Sequence, residues 1–136
     1  MKKLNCIVLI DDDKMTNYLN QRIIKKSGLA DHLLIFKNGK EGLEYLKNPD
    51  ASDYISPNLI FLDINMPVMN GFEFLEEYNK LDASLRADKL MVMLTTSLLT
   101  RDVDAAKSYE VSEFINKPLD EDKLRIIIEK YYEERG

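Results

Sequence analysis

Leu59-Ile60-Phe61-Leu62-Asp63-Ile64-Asn65-Met66-Pro67-Val68-Met69-Asn70-Gly71 is the stretch on which the reading of this chain turns. Four apolar residues run directly into an aspartate, and a loop carrying Pro67 closes on Gly71. A short continuous apolar run followed by turn signals reads as a strand buried on both faces. Asp63 then stands at the carboxyl end of a central strand. An aspartate there can simply cap the next turn. The other strand ends decide between that role and a chemical one.

Upstream, Leu4–Ile10 (LNCIVLI) is an apolar, β-branched strand that ends in Asp11-Asp12-Asp13. Residues Lys14–Ser27 turn helical, with Met15, Leu19 and Ile23 four apart on one face. Gly28 is the helix-ending glycine. Leu33–Phe36 is a second strand, broken by Asn38-Gly39. Gly39–Lys47 is a short helix with Leu43 and Leu46 inward. Residues 48–58, with Pro49 and Pro57, form a polar loop longer than most.

Downstream, Phe72–Leu81 is a helix whose core face is Phe74, Leu75 and Tyr78. Residues 82–89 form a second long loop. Leu90–Leu94 is a strand running into Thr95-Thr96-Ser97. Thr100 is placed to cap a helix that runs to Ser108. Val111–Ile115 is the fifth strand, followed by Asn116-Lys117-Pro118. Asp120 caps the last helix, with Leu119 and Leu124 as its hydrophobic staple. Leu124, Ile127, Ile128 and Tyr131 are its core stripe.

Five strands therefore alternate with five helices. This predicts an α/β fold, a doubly wound parallel sheet with helices on both faces and right-handed crossovers. Ligands in such sheets bind beyond the carboxyl ends of the strands. In the order 2-1-3-4-5, one of the two common ones, four polar strand ends lie side by side. They carry Asp11, Asp12 and Asp13, then Asp63, then Thr95 and Thr96, then Asn116 and Lys117.

Composition narrows the function. A chain of 136 residues is expected to form one domain, 1–136. Its net charge of −5 and lack of a basic face argue against direct nucleic-acid binding. Cys6, the single cysteine, lies in an apolar run and reads as a core residue. The lone His32 has no second ligand at metal spacing and reads as surface. No apolar run is long enough to span a membrane, and Met1-Lys2-Lys3-Leu4 begins no signal peptide. The expectation is a cytoplasmic protein with no membrane contact.

Carboxylates packed at strand ends repel and raise one another's pKa. A hard divalent cation relieves this, and Mg²⁺ suits a site of one or two carboxylates plus a phosphate oxygen. A carboxylate can itself attack phosphorus to give an aspartyl phosphate. Phosphoryl transfer asks mainly for positioning and charge neutralisation. Lys117 and Thr95 fit the remaining roles, an ammonium and a hydroxyl.

With these residues the chain resembles the receiver domain of two-component response regulators, the chemotaxis regulator (CheY) among them. The resemblance runs from Leu4 to the last helix. It is carried by Asp11-Asp12, by Asp63 to Gly71, by Thr95 and by Lys117-Pro118. It implies that Asp63 is the phosphoacceptor. Asp12 would be the direct Mg²⁺ ligand, with Asp11 acting through water and Asn65 giving its backbone carbonyl. Thr95 would bond the phosphoryl group and Lys117 would pair with it. Thr95 and Phe114 would form the switch that alters the face of the helix from Thr100, the fifth strand and the last helix. Asn65 and Ser97 occupy positions that tune phosphoryl lifetime, and Asp13 is assigned to helix capping. A cis Lys117–Pro118 bond is expected.

The implied partners are a sensor histidine kinase or a histidine phosphotransfer protein, and a downstream protein target. The chain would be a signalling domain rather than a turnover enzyme, a monomer or a phosphorylation-dependent dimer. It is expected to lack an output domain. A haloacid-dehalogenase-type phosphatase is the competing enzyme class, but it would make Asp11 the nucleophile and leave Asp63 and Pro67 without a role. An EF-hand fails for want of its glycine and closing glutamate. A pseudo-receiver acting without phosphorylation is the third alternative.

Overall fold

The apolar runs become the strands of one sheet. In the computed structural model these are β1 (Leu4–Ile10), β2 (Ala30–Phe36), β3 (Leu59–Leu62), β4 (Leu90–Thr95) and β5 (Glu113–Asn116). All neighbours are parallel, in the order β2-β1-β3-β4-β5. The helices are α1 (Lys14–Ser27), α2 (Gly39–Leu46), α3 (Gly71–Asn79), α4 (Ala83–Arg86), α5 (Thr100–Ser108) and α6 (Glu121–Arg135). The structure describes residues 2–96, 100–109, 111 and 113–135, with backbone alone at 100 and 101. The Thr100 side chain, expected as a cap, and Ser97 lie outside the described residues.

Side-chain alternation along the strands divides the core in two. Ile7, Leu9, Leu59, Phe61, Val92 and Leu94 face α1 and α6. Val8, Ile10, Ile60, Leu62, Met91 and Met93 face α2, α3 and α5. Every residue of β3 and β4 is buried, as their unbroken apolar runs require. Each fully buried side chain of this size contributes about 1.5–3 kcal/mol. The core faces of α2, α3 and α6 are those read from the sequence, and Cys6 is buried.

Helix ends follow their caps. Asp13 accepts from the Met15 N–H at the start of α1, and Gly28 closes it at φ 67°. Asn70 and Glu73 form a capping box on α3. Asp120 Oδ1 accepts from the Lys123 N–H at 2.7 Å. The Lys117–Pro118 peptide is cis.

The fifth strand runs Glu113–Asn116 rather than Val111–Ile115, and three further elements differ from expectation. A one-turn helix, α4, interrupts the loop 82–89; it buries no residue and is too short to carry a periodic pattern. The edge strand β2 starts at Ala30 rather than Leu33, because exposed Asp31 and His32 break its apolar run.

The third is α1, whose apolar stripe is not the face that enters the core. Met15 and Leu19 are 62% and 48% exposed, while Asn17, Asn20 and Ile24 face inward. The helix starts where β1 ends in carboxylates, so its first inward turns meet polar atoms. Asn17 Nδ2 donates to the Asp11 carbonyl oxygen at 2.8 Å.

Candidate functional site

Backbone bonds between adjacent strand ends assemble the site. The Asp11 N–H donates to Phe36 O at 3.1 Å, and the Asp63 N–H donates to Ile10 O at 3.0 Å. The Lys117 N–H donates to Thr95 O at 2.8 Å. The strand ends are thereby held level, and their side chains meet above the sheet.

Gly71 returns the loop after β3 so closely that only glycine fits. Its N–H donates to Ile64 O at 2.8 Å. A Cβ there would lie 2.4 Å from Asp63 O and 2.9 Å from Ile64 Cα. The packing of this one turn determines the direction of the Asp63 backbone.

Lys117 Nζ lies 2.7 Å from Asp11 Oδ2 and 3.4 Å from Asp63 Oδ1. Asp11 and Asp63 are buried, whereas Asp12 is exposed at the rim. Asp11 Oδ1 also accepts from the Asp13 N–H at 3.0 Å. Burial, and then the neighbouring Asp11 charge, push the Asp63 carboxyl up to about 6, against the pull of Lys117. Burial alone would lower Lys117; its bonds to Asp11 and Asp63 outweigh that and hold it above its ordinary value. A single ammonium thus serves two carboxylates, and the pocket retains excess negative charge.

Asp11, Asp12 and Asp63 each offer an oxygen, and these atoms lie within 4.8 Å of one another. An all-oxygen donor set with uncompensated negative charge fits a hard divalent cation. The three carboxylates can hold a metal ion.

A family model described as "Response regulator receiver domain" matches residues 7–129. The chain belongs to the response regulator receiver family. Response regulator Rcp1 of Synechocystis sp. is 31% identical over 112 residues, 82% of this chain and 75% of that protein. The crystal structure of a two-component response regulator from Cytophaga hutchinsonii has a TM-score of 0.86 at 27% identity, covering 97% of this chain and 99% of that one. The crystal structure of the Mn²⁺-bound form of Rcp1 has a TM-score of 0.71 at 30% identity, covering 90% and 88%.

As a receiver domain this chain is a module of two-component signalling. Its predicted site residues fall as follows. Asp11, Asp12, Asp63 and Lys117 converge. Thr95 is fully buried one strand over from Asp63, and Asn65 is exposed just beyond it. Phe114 is half-buried on the edge strand β5, in register with Met93.

Sequence reading of this receiver missed Asn17 and Asn20, which line a small cavity with Asp11 and Asp63. Their signal was present as the helical spacing 17-20-24, but the stronger apolar stripe at 15-19-23 masked it.

Proposed function

We propose that this receiver takes a phosphoryl group onto Asp63 with Mg²⁺ as cofactor. The observation that carries the reading is Lys117 ion-paired to both Asp11 and Asp63, with Asp12 in the same cluster. Asp12 and Asp63, with the Asn65 carbonyl, would hold Mg²⁺, and Asp11 would assist through water. When bound, the cation neutralises phosphoryl oxygens and the carboxylates around them. The Mn²⁺ form of Rcp1 supports a divalent ion.

Asp63 supplies the nucleophile: one carboxylate oxygen bonds to phosphorus as the donor's P–N bond breaks, and the electron pair leaves with a histidine ring of the donor. Lys117 shifts from sharing its charge between two carboxylates to neutralising a phosphoryl oxygen. Thr95 donates its hydroxyl to another. Drawing Thr95 inward opens room for Phe114, which changes the face made by α5, β5 and α6. This is a shift between two packings, biased by the new contacts.

The partner reading is a cytoplasmic histidine kinase or phosphotransfer protein. It draws support from the exposed apolar residues of α1. Exposed Leu19, with Thr16 and Ile23, lines a groove of about 510 Å³ that runs to Thr96, Lys117 and Pro118. An apolar face beside a charged site suits a donor helix that carries its histidine to Asp63. A downstream protein would read the Phe114 face, with the chain a monomer or a phosphorylation-dependent dimer.

The test is incubation with acetyl phosphate and Mg²⁺, wild type against Asp63→Asn. Wild type is expected to gain one acid-labile, hydroxylamine-sensitive phosphate and the variant none. No uptake by wild type would leave a pseudo-receiver, and a label mapped to Asp11 would reverse the nucleophile assignment.

A further inference from the structure

The core behind the carboxylates contains a polar defect. On the α1 face of the sheet lies a cavity of about 10 Å³, whose polar lining is Asp11, Asn17, Asn20 and Asp63. The rest of its wall is apolar, from β1, β3 and β4, and every lining residue is buried. Asn17 spends its amide N–H on the Asp11 carbonyl. Its Oδ1 is buried and accepts a hydrogen bond from no described group. A buried amide oxygen without a donor is costly, and native proteins rarely leave one so. A helix beside an apolar core would also ordinarily place leucine at positions 17 and 20.

The volume and the chemistry agree on the occupant. A space of this size is about what one water needs, and a buried water needs two to four polar partners. Four polar residues surround this one. We infer that Asn17 and Asn20 hold a single water behind the Asp11–Asp63 pair, and that through it Asn17 is a positioning residue for the Asp63 carboxylate. The water gives one hydrogen to Asn17 Oδ1 and the other to a carboxylate oxygen, and Asn20 supplies a further partner. Asp63 thereby gains an uncharged donor in addition to Lys117, anchored to α1. Outer-shell hydrogen bonds of this kind fix the orientation of a ligating carboxylate.

The consequence for metal binding rests on the phosphoacceptor reading of Asp63; the water itself does not. The test uses the full chain as wild type, Asn17→Leu and Asn20→Leu. Crystal structures of the metal-free proteins are expected to show a water within hydrogen-bond reach of Asn17 Oδ1 in wild type and none in Asn17→Leu. Calorimetric titration with Mg²⁺ is expected to show affinity lower by roughly tenfold in Asn17→Leu. A dry cavity in wild type, or unchanged Mg²⁺ affinity in a folded Asn17→Leu, overturns the inference. A purely structural asparagine would move the melting temperature and leave Mg²⁺ affinity alone. Should Asn17→Leu not fold, Asn20→Leu, which keeps the Asn17–Asp11 bond, carries both measurements. If wild type binds no Mg²⁺ and takes no phosphate from acetyl phosphate, the phosphoacceptor reading fails, while the crystal result still decides the water.

Discussion

Gly71 sits against the backbone of Asp63 with no room for a side chain: a Cβ would meet the Asp63 carbonyl oxygen at 2.4 Å. Neither partner can yield cheaply, because both are main chain and β3 is packed on both faces. Gly71→Ala must therefore move the end of β3 or the start of α3. Overpacking of this kind costs about 1–3 kcal/mol. Urea denaturation is expected to show that loss, and acetyl-phosphate labelling of Asp63 to slow. A variant as stable as wild type would mean the turn is slack.

Lys117 is the one cation that touches both buried carboxylates among the described residues. Lys117→Ala leaves Asp11 and Asp63 facing each other without it. Removing one partner of a buried pair costs on the order of 3 kcal/mol. The expected signature is conditional: the variant is strongly destabilised in EDTA at neutral pH and recovers more stability in millimolar Mg²⁺ than wild type does. Binding to the folded state alone stabilises by mass action. Equal Mg²⁺ stabilisation of the two proteins would place the cation elsewhere.

What could be read in advance, and what could not, divides along physical lines. The apolar runs of β1, β3 and β4 announced buried strands, and the polar residues ending them announced the carboxylate cluster. Gly28 and Asp120 marked helix ends because their caps are local. The inward face of α1 was not legible in its apolar stripe, because Met15 and Leu19 are largely exposed and belong to neither core. Periodicity reports amphipathicity, not which side meets the core. Beside a carboxylate cluster the polar side goes in. The one-turn α4 has no cap hydrogen bond and no buried residue, so nothing in four residues could signal it.

Asp63 is raised from 3.8 to about 6 in the folded chain. A raised carboxyl binds its proton more tightly folded than unfolded. Its contribution to stability is therefore fully present below pH 3.8 and lost as the pH rises through about 6. At pH 7 without metal the ionised Asp63 is a burden, and Asp63→Asn removes it while keeping the shape. In EDTA the variant is expected to be more stable than wild type by about 1–3 kcal/mol at neutral pH, since each pKa unit is worth about 1.4 kcal/mol. The gap closes as the pH falls toward 4. Urea denaturation across that range, both proteins side by side, measures it; a variant less stable than wild type at pH 7 would reverse the sign.

Leu19 offers a way to test the proposed docking face apart from folding. It is 48% exposed, beside the groove that leads to Lys117, and it belongs to neither core. Leu19→Ser should therefore change stability by no more than about 0.5 kcal/mol, the usual range for surface sites. On the proposed function, small-molecule phosphorylation would depend only on the strand-end residues, so labelling by acetyl phosphate is expected to be unchanged. On the proposed docking, transfer from a phosphorylated histidine protein would depend in addition on the apolar face of α1. There the rate should fall by roughly tenfold, because losing an apolar interface anchor costs about 1–2 kcal/mol. Comparing the two donors on one variant isolates the docking contribution. Equal rates from the protein donor with Leu19 and with serine would mean that the donor approaches from another side of the site, and that the exposed stripe of α1 serves a different partner.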